Sequence, residues 1–308
     1  MESNASILRL MMSMLFMGGT GYGLIRLKLV GKLFRKWMIW LLLNMVLPLG
    51  ILGTSDTRLD SRLTRGIGMM VIFAILYYIV SILLLRWLAQ RTNLSSDKKK
   101  VWVMTGIFAN SAFIGLPLVL ELWGNEGLLY GVIHGAVYNI FMFTFGIGYL
   151  EGGKRLDWKG CIGNPMMIAT IASVILLVSP MTPPKSFYTI CHGAGGIIMP
   201  VSMILTGCYL GDLNIKRIWT DRSIWSVSGL RLCILPFMAA VLLKLTGWPD
   251  ALCSVCVLLT GLPAGTLNGI MAEKHGGASG FAAEIILHST CLMLFTLPCL
   301  LWAVQLIF

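Results

Sequence analysis

Apolar residues form long runs along this chain, and short polar or charged stretches separate them. The runs cover residues 6–26, 37–53, 67–88, 100–123, 127–150, 164–180, 188–211, 223–245, 250–273 and 279–307. A helix of about 20 mostly apolar residues crosses a hydrocarbon core of about 30 Å. The pattern therefore predicts an all-α polytopic membrane protein with ten transmembrane helices, spans 1 to 10.

Composition agrees with this fold class, because 57% of the 308 residues are hydrophobic and only 12% are charged. The net charge of +11 does not indicate a nucleic-acid partner, since the basic residues lie in short clusters between spans. Seventeen Lys and Arg residues flank the odd-to-even links and six lie on the opposite side. The bias predicts an integral plasma or inner membrane protein with both termini on the non-cytoplasmic side.

Two sequence echoes divide the chain into halves. "NMVLPLGIL" in span 2 resembles "GIIMPVSMI" in span 7, and their prolines, Pro48 and Pro200, are 152 positions apart. Pro117 in span 4 and Pro263 in span 9 are 146 apart. These offsets predict a five-plus-five inverted repeat, with residues 1–150 as the first repeat, 151–163 as a short cytoplasmic linker and 164–308 as the second repeat.

Both copies of Gly-Leu-Pro, at 115–117 and 261–263, predict a broken helix at membrane depth. Proline removes a backbone donor and glycine has weak helix propensity. Matched breaks in two halves indicate the binding site of a transporter. The amide ends of the second half-helices, expected near Leu118 and at 264–266, carry partial positive charge and favour an anion.

Polar residues near these breaks are candidate substrate ligands, although each is also a candidate for an ordinary interhelical hydrogen bond. The predicted substrate-binding residues are Asn110, Ser111, Gly115, Pro117, Asn139, Gly261, Pro263, Thr266, Asn268 and Arg231. Asn44, Pro48 and Pro200 are expected on the scaffold side.

Arg231 lies about two turns into span 8, which is deep for a charge that only sets topology. Two roles are open for it. It binds a substrate carboxylate, or it bonds the free carbonyls of a broken helix.

Glu284 and His288 in span 10 are four positions apart, so they share a helix face and are candidates for proton coupling. The eight cysteines are scattered and apolar in context, so no metal site and no cofactor is expected.

The ordered motifs resemble those of the auxin efflux carrier family, which includes the PIN-FORMED exporters and malonate permease-like bacterial transporters. They are "NMVLPLGIL", "NSAFIGLPLV", "GNPMMIA", "IIMPVSMILTGCYLGDL", "RLCILP", "LLTGLPAGTLNGIMAEKHGG" and "HSTCLMLFTLP". The resemblance implies a fold like that of sodium/proton antiporters and bile acid symporters, with spans 4 and 9 broken and crossing.

It also implies a scaffold of spans 1, 2, 6 and 7, a mobile unit of spans 3–5 and 8–10, elevator-type movement, and a homodimer through spans 2 and 7. Four features depart from the family pattern. The long cytoplasmic loop of the plant exporters is absent, span 3 has no buried acid, Glu284 and His288 are not part of the family's span 10 pattern, and the sodium-site residues of the bile acid symporters are not visible.

The expected function is secondary transport of a small organic anion, a carboxylate. The competing interpretations are a carrier of another solute class, a membrane-embedded sensor, and a membrane-embedded enzyme.

Overall fold

The computed structural model describes residues 4–57, 60–152, 158–179, 183–211, 218–275 and 277–308, and their regular structure is helical except for one isolated backbone bridge. In chain order the α-helices are α1 (Asn4–Arg26), α2 (Lys32–Leu41), α3 (Leu47–Gly53), α4 (Ser61–Gln90), α5 (Ser96–Ile107), α6 (Leu116–Phe141), α7 (Ile147–Leu150), α8 (Trp158–Ile162), α9 (Pro165–Val178), α10 (Lys185–Gly211), α11 (Arg222–Gly229), α12 (Leu235–Lys244), α13 (Asp250–Thr260), α14 (Thr266–Lys274) and α15 (Ser279–Ile307).

Helices occupy the apolar runs of the sequence. Six helical segments of the described chain are long and apolar enough to cross a membrane: Leu33–Asp56, Ser61–Gln90, Ser111–Leu150, Lys185–Cys208, Arg222–Lys244 and Ser279–Ile307. Two shorter apolar helices are Pro165–Val178 and Asp250–Thr260. The all-helical class is therefore confirmed, whereas the count of ten spans stays a prediction.

Wide π-helical turns join several of these helices. They cover Leu42–Val46, Ser111–Gly115, Met142–Gly146 and Leu230–Ile234. Three of the four end two residues before a proline, namely Pro48, Pro117 and Pro236. Because proline lacks an N–H and clashes with the carbonyl four residues back, a wider turn lets the chain pass it while remaining helical.

The chain forms two compact units, each built from separate stretches of sequence. Unit 1 comprises Met1–Gly68, Ala112–Ala136 and Ile162–Leu213, and unit 2 comprises Met69–Ser111, Val137–Cys161 and Asn214–Phe308. Each unit draws on both predicted repeats. The predicted linker 151–163 includes residues 153–157, which lie outside the described residues, as do the basic residues Arg58, Lys154, Arg155, Lys216 and Arg217.

Close helix contact through glycine holds unit 1 together. A side chain on Gly21 of α1 would collide with the Ile204 carbonyl of α10, and one on Gly207 would collide with the Gly18 carbonyl. Small residues let helix backbones approach in membranes, where helices associate through packing rather than through exclusion of water. At the other end of the unit, the hydroxyls of Thr54 and Ser173 lie 2.8 Å apart.

We expect Gly21→Ala to destabilise unit 1 by about 1–3 kcal/mol, because the new methyl group needs space that backbone atoms occupy. In an open helix position the same change is favourable by about 1 kcal/mol. Gly23→Ala on the same helix is the matched control, since nothing lies within 4 Å of its Cβ position. Thermal unfolding of the purified variants measures the difference, and equal melting temperatures would contradict the packing described.

Candidate functional site

Two interrupted helices meet in unit 2. Helix α5 ends at Ile107 and α13 ends at Thr260, and the extended backbones that follow pair in antiparallel fashion at Ala109 and Ala264. The Asn110 N–H donates to the Pro263 carbonyl at 2.8 Å, and the Gly265 N–H donates to the Phe108 carbonyl at 3.0 Å. We call this paired region, residues 108–110 and 261–265, the crossing.

The second break lies where the sequence predicts it, because Gly261 and Pro263 belong to the crossing. The first does not. Gly115 ends a π turn and Pro117 is the second residue of α6, so the helical start expected near Leu118 is instead at Ser111. The π turn Ser111–Gly115 accommodates Pro117 without a break, and the chain opens one to two turns earlier.

Arg231 bonds the carbonyl groups of both interrupted helices. It is 1% exposed, its Nε donates to the Leu262 carbonyl at 2.8 Å, and its Nη1 donates to the Gly106 carbonyl at 2.5 Å. Helix carboxyl ends carry partial negative charge, which a guanidinium complements. Of the two roles left open by the sequence, carbonyl bonding is thus observed, while Nη2 is buried with no hydrogen-bond partner.

Asn268 and Ser289 satisfy further backbone groups at the crossing. The Asn268 Nδ2 donates to the carbonyls of Phe108 at 2.8 Å and Gly265 at 2.9 Å. The Ala264 N–H donates to the Ser289 hydroxyl at 3.1 Å. Sequence reasoning named Asn268 but missed Ser289, and the signal available was the polar run His288–Thr290 inside an apolar span.

Two hydroxyl groups at the helix starts beyond the crossing have no partner. Ser111 is the first residue of its helical segment and Thr266 is the first residue of α14, and both hydroxyl oxygens are buried and unpaired. The first amides of a helix also have no acceptor within that helix and carry partial positive charge. Donors therefore concentrate at these two starts.

Aromatic rings cover one side of the crossing. Tyr78 of α4 stacks on Phe108 with centroids 5.8 Å apart, and Tyr138 of α6 meets Phe108 edge to face at 5.3 Å. The predicted ligand Asn139 follows Tyr138 and is buried. Tyr78 was not predicted, because nothing in the apolar pattern of span 3 separates a wall residue from a lipid-facing one.

His288 of α15 is fully buried and bonds a residue of a neighbouring helix. The His288 Nδ1 lies 2.8 Å from the Ser228 hydroxyl, its Nε2 is unpaired, and its ring packs against Trp219 and Trp225 at centroid distances of 5.0 and 4.6 Å. Proton coupling through Glu284 and His288 stays a prediction.

The remaining predicted residues belong to unit 1. Gly115 and Pro117 are buried there, and Pro48 and Pro200 lie within α3 and α10. Asn44 is exposed, and its Nδ2 donates to the Trp40 carbonyl of its own helix at 2.8 Å. Their assignment to a scaffold stays a prediction.

The side chains that the structure describes include no group of three or more His, Cys, Asp or Glu residues that could hold a metal ion.

Comparison with known sequences shows the family to which the chain belongs. A family model described as membrane transport protein matches residues 6–155 and 153–301, which together span nearly the whole sequence. The chain belongs to this family, the auxin efflux carriers. The carrier is also 27% identical over 312 residues to an uncharacterized transporter of Methanothermobacter thermautotrophicus, an alignment that covers 95% of the carrier and 100% of that protein. Its family and its long apolar helices agree with an integral membrane protein.

Gly265→Ala should separate the two strands of the crossing in this carrier, because the added Cβ would lie 2.6 Å from the Ala109 carbonyl oxygen. Gly269→Ala is the control within α14, since its Cβ would make only an ordinary contact, 3.5 Å from Ile286. We expect Gly265→Ala to lower the melting temperature and Gly269→Ala to leave it unchanged or higher. A Gly265→Ala protein as stable as the wild type would show that the backbone pairing is dispensable.

Proposed function

We propose that this carrier is a secondary transporter that moves a small organic anion, a carboxylate, by alternating access. The observation that carries the proposal is the crossing: two helix starts with unpaired buried hydroxyls follow it, and a buried arginine bonds carbonyls of both interrupted segments. Membrane transporters place such discontinuous helices at their binding sites, with the positive ends directed at anionic groups.

The charge of Arg231 supports an anionic cargo. Both of its hydrogen bonds go to backbone carbonyls, so no carboxylate among the described residues is bonded to its guanidinium. A buried cation without a bonded carboxylate favours an anion nearby. The unpaired Nη2 and the hydroxyls of Ser111 and Thr266 supply donors to it.

The proposal extends to the predicted architecture of ten spans in two inverted repeats, with elevator-type movement of unit 2. In its support, unit 1 contains the predicted scaffold spans 1, 2, 6 and 7, and unit 2 contains span 3 and spans 8–10. The segment Ala112–Ala136, which the sequence assigns to the mobile unit, clusters instead with unit 1.

A homodimer through spans 2 and 7 is also part of the proposal. Large apolar side chains are exposed on both, including Trp37, Trp40 and Met45 on span 2, and Ile190 and Ile197 on span 7. Mass photometry of the detergent-purified chain should give a dimer, and Trp40→Glu should shift it toward monomer. A wild-type protein that is monomeric at all accessible concentrations would contradict this part.

Ligand-induced thermal stabilisation tests the function. Purified protein should be stabilised by at least one small mono- or dicarboxylate and not by the corresponding neutral amide. Ser111→Ala and Thr266→Val should weaken that binding about tenfold or more, since each removes one hydrogen bond to a charged group. Asn110→Ala tests the neighbouring predicted ligand.

Matched controls lie on neighbouring helices. Ser254→Ala and Thr290→Val remove buried hydroxyls that bond only the carbonyls of Asp250 and Ile286 in their own helices, so carboxylate affinity should be unchanged. Stabilisation by amides as strong as by acids, or full affinity in both Ser111→Ala and Thr266→Val, would overturn the proposal.

A further inference from the structure

The side-chain amide of Asn268 has its orientation fixed by its partners. Its Nδ2 donates to two carbonyl oxygens, those of Phe108 and Gly265. A carbonyl oxygen only accepts, so a reversed amide would place Oδ1 against two acceptors. The amide nitrogen therefore faces the backbone of the crossing, and Oδ1 faces away from these carbonyls.

Oδ1 of Asn268 is a buried acceptor without a donor. Asn268 is 1% exposed, and its Oδ1 has no hydrogen-bond partner. Buried polar atoms in native proteins are nearly always paired, and an orphaned acceptor is costly. The chain does supply unpaired groups at or beside the crossing, on Ser111, Thr266 and Arg231, but none of them is bonded to Oδ1.

We propose that the cargo carries, besides its carboxylate, a hydroxyl or N–H group that donates a hydrogen bond to Asn268 Oδ1. This inference rests on the proposed carboxylate transport and narrows its substrate class to hydroxy- or amino-carboxylates. The Asn268 Oδ1 only accepts hydrogen bonds, so it repels a carboxylate oxygen. Arg231 only donates, and the hydroxyls of Ser111 and Thr266 donate as well as accept, so these groups suit a carboxylate. The two kinds of group in the site thus recognise two different groups of one molecule.

A site built to bond a substrate hydroxyl discriminates against the analogue that lacks it, because its own polar atom is then left unpaired. Matched acids therefore test the inference: lactate and alanine against propionate, and malate and aspartate against succinate, measured as Kd with the purified full chain. We expect the hydroxy or amino acid of at least one pair to bind tenfold or more tightly than its unsubstituted partner. Equal affinities within every pair that binds would overturn this inference and leave the carboxylate proposal standing. If no acid, substituted or not, binds at all, the proposed function itself fails.

Two variants test whether Asn268 is the residue that causes the preference for the substituted acid. Asn268→Ala should bring the ratio within the pair close to one, whereas Thr266→Val should weaken both members equally and keep the ratio. Because Asn268→Ala also removes two bonds to the backbone, its melting curve and elution profile are checked first, and if it fails to fold, the wild-type pair comparison decides. A folded Asn268→Ala protein that keeps the full preference would overturn the assignment of the donor to Oδ1.

Discussion

The backbone groups released where two helices stop inside an apolar environment are the constraint on which unit 2 depends. Each unpaired N–H or C=O in hydrocarbon costs several kcal/mol, so a broken helix is stable only if another part of the protein pairs with it. Here the two breaks pair with each other through Ala109 and Ala264. The backbone groups of neither break are fully hydrogen-bonded without the other. The crossing therefore needs both segments, although Ala109 and Ala264 are 155 positions apart in the sequence.

Some backbone groups are not bonded by this pairing, and side chains from neighbouring helices bond them instead. These side chains bond more carbonyls than amides. Arg231 takes carbonyls, which are the negative ends of the interrupted helices, and Ser289 takes one amide. The hydroxyls of Ser111 and Thr266 and the Arg231 Nη2 stay unbonded, so the crossing retains donors and a positive charge. An excess of donors with a fixed cation is the chemistry of an anion site.

Much of this could be predicted from the sequence, and the failures have physical causes. Gly261 and Pro263 lie in a break as expected, but a π turn lets Pro117 remain in a helix. The same Gly-Leu-Pro sequence is compatible with a wide helical turn and with a broken helix, so residue types alone do not distinguish them. The 146-residue offset between Pro117 and Pro263 is therefore not the offset at which the breaks pair. Ser289 and Tyr78 escaped notice because their roles come from tertiary contacts with residues far away in sequence. The depth and charge of Arg231 are readable in the sequence, but only the geometry shows which carbonyls its guanidinium bonds.

The polar groups of the crossing fall into those that bond the protein's own backbone and those that are left unbonded. Backbone pairing, two donors of Arg231, the Asn268 Nδ2 and Ser289 satisfy the protein itself. What remains is the Asn268 Oδ1, the Arg231 Nη2 and the hydroxyls of Ser111 and Thr266. Arg231 and Asn268 contribute atoms to both sets, whereas the side chains of Ser111 and Thr266 bond no backbone group. A substitution of Arg231 or Asn268 therefore also releases carbonyls that the crossing needs to keep bonded.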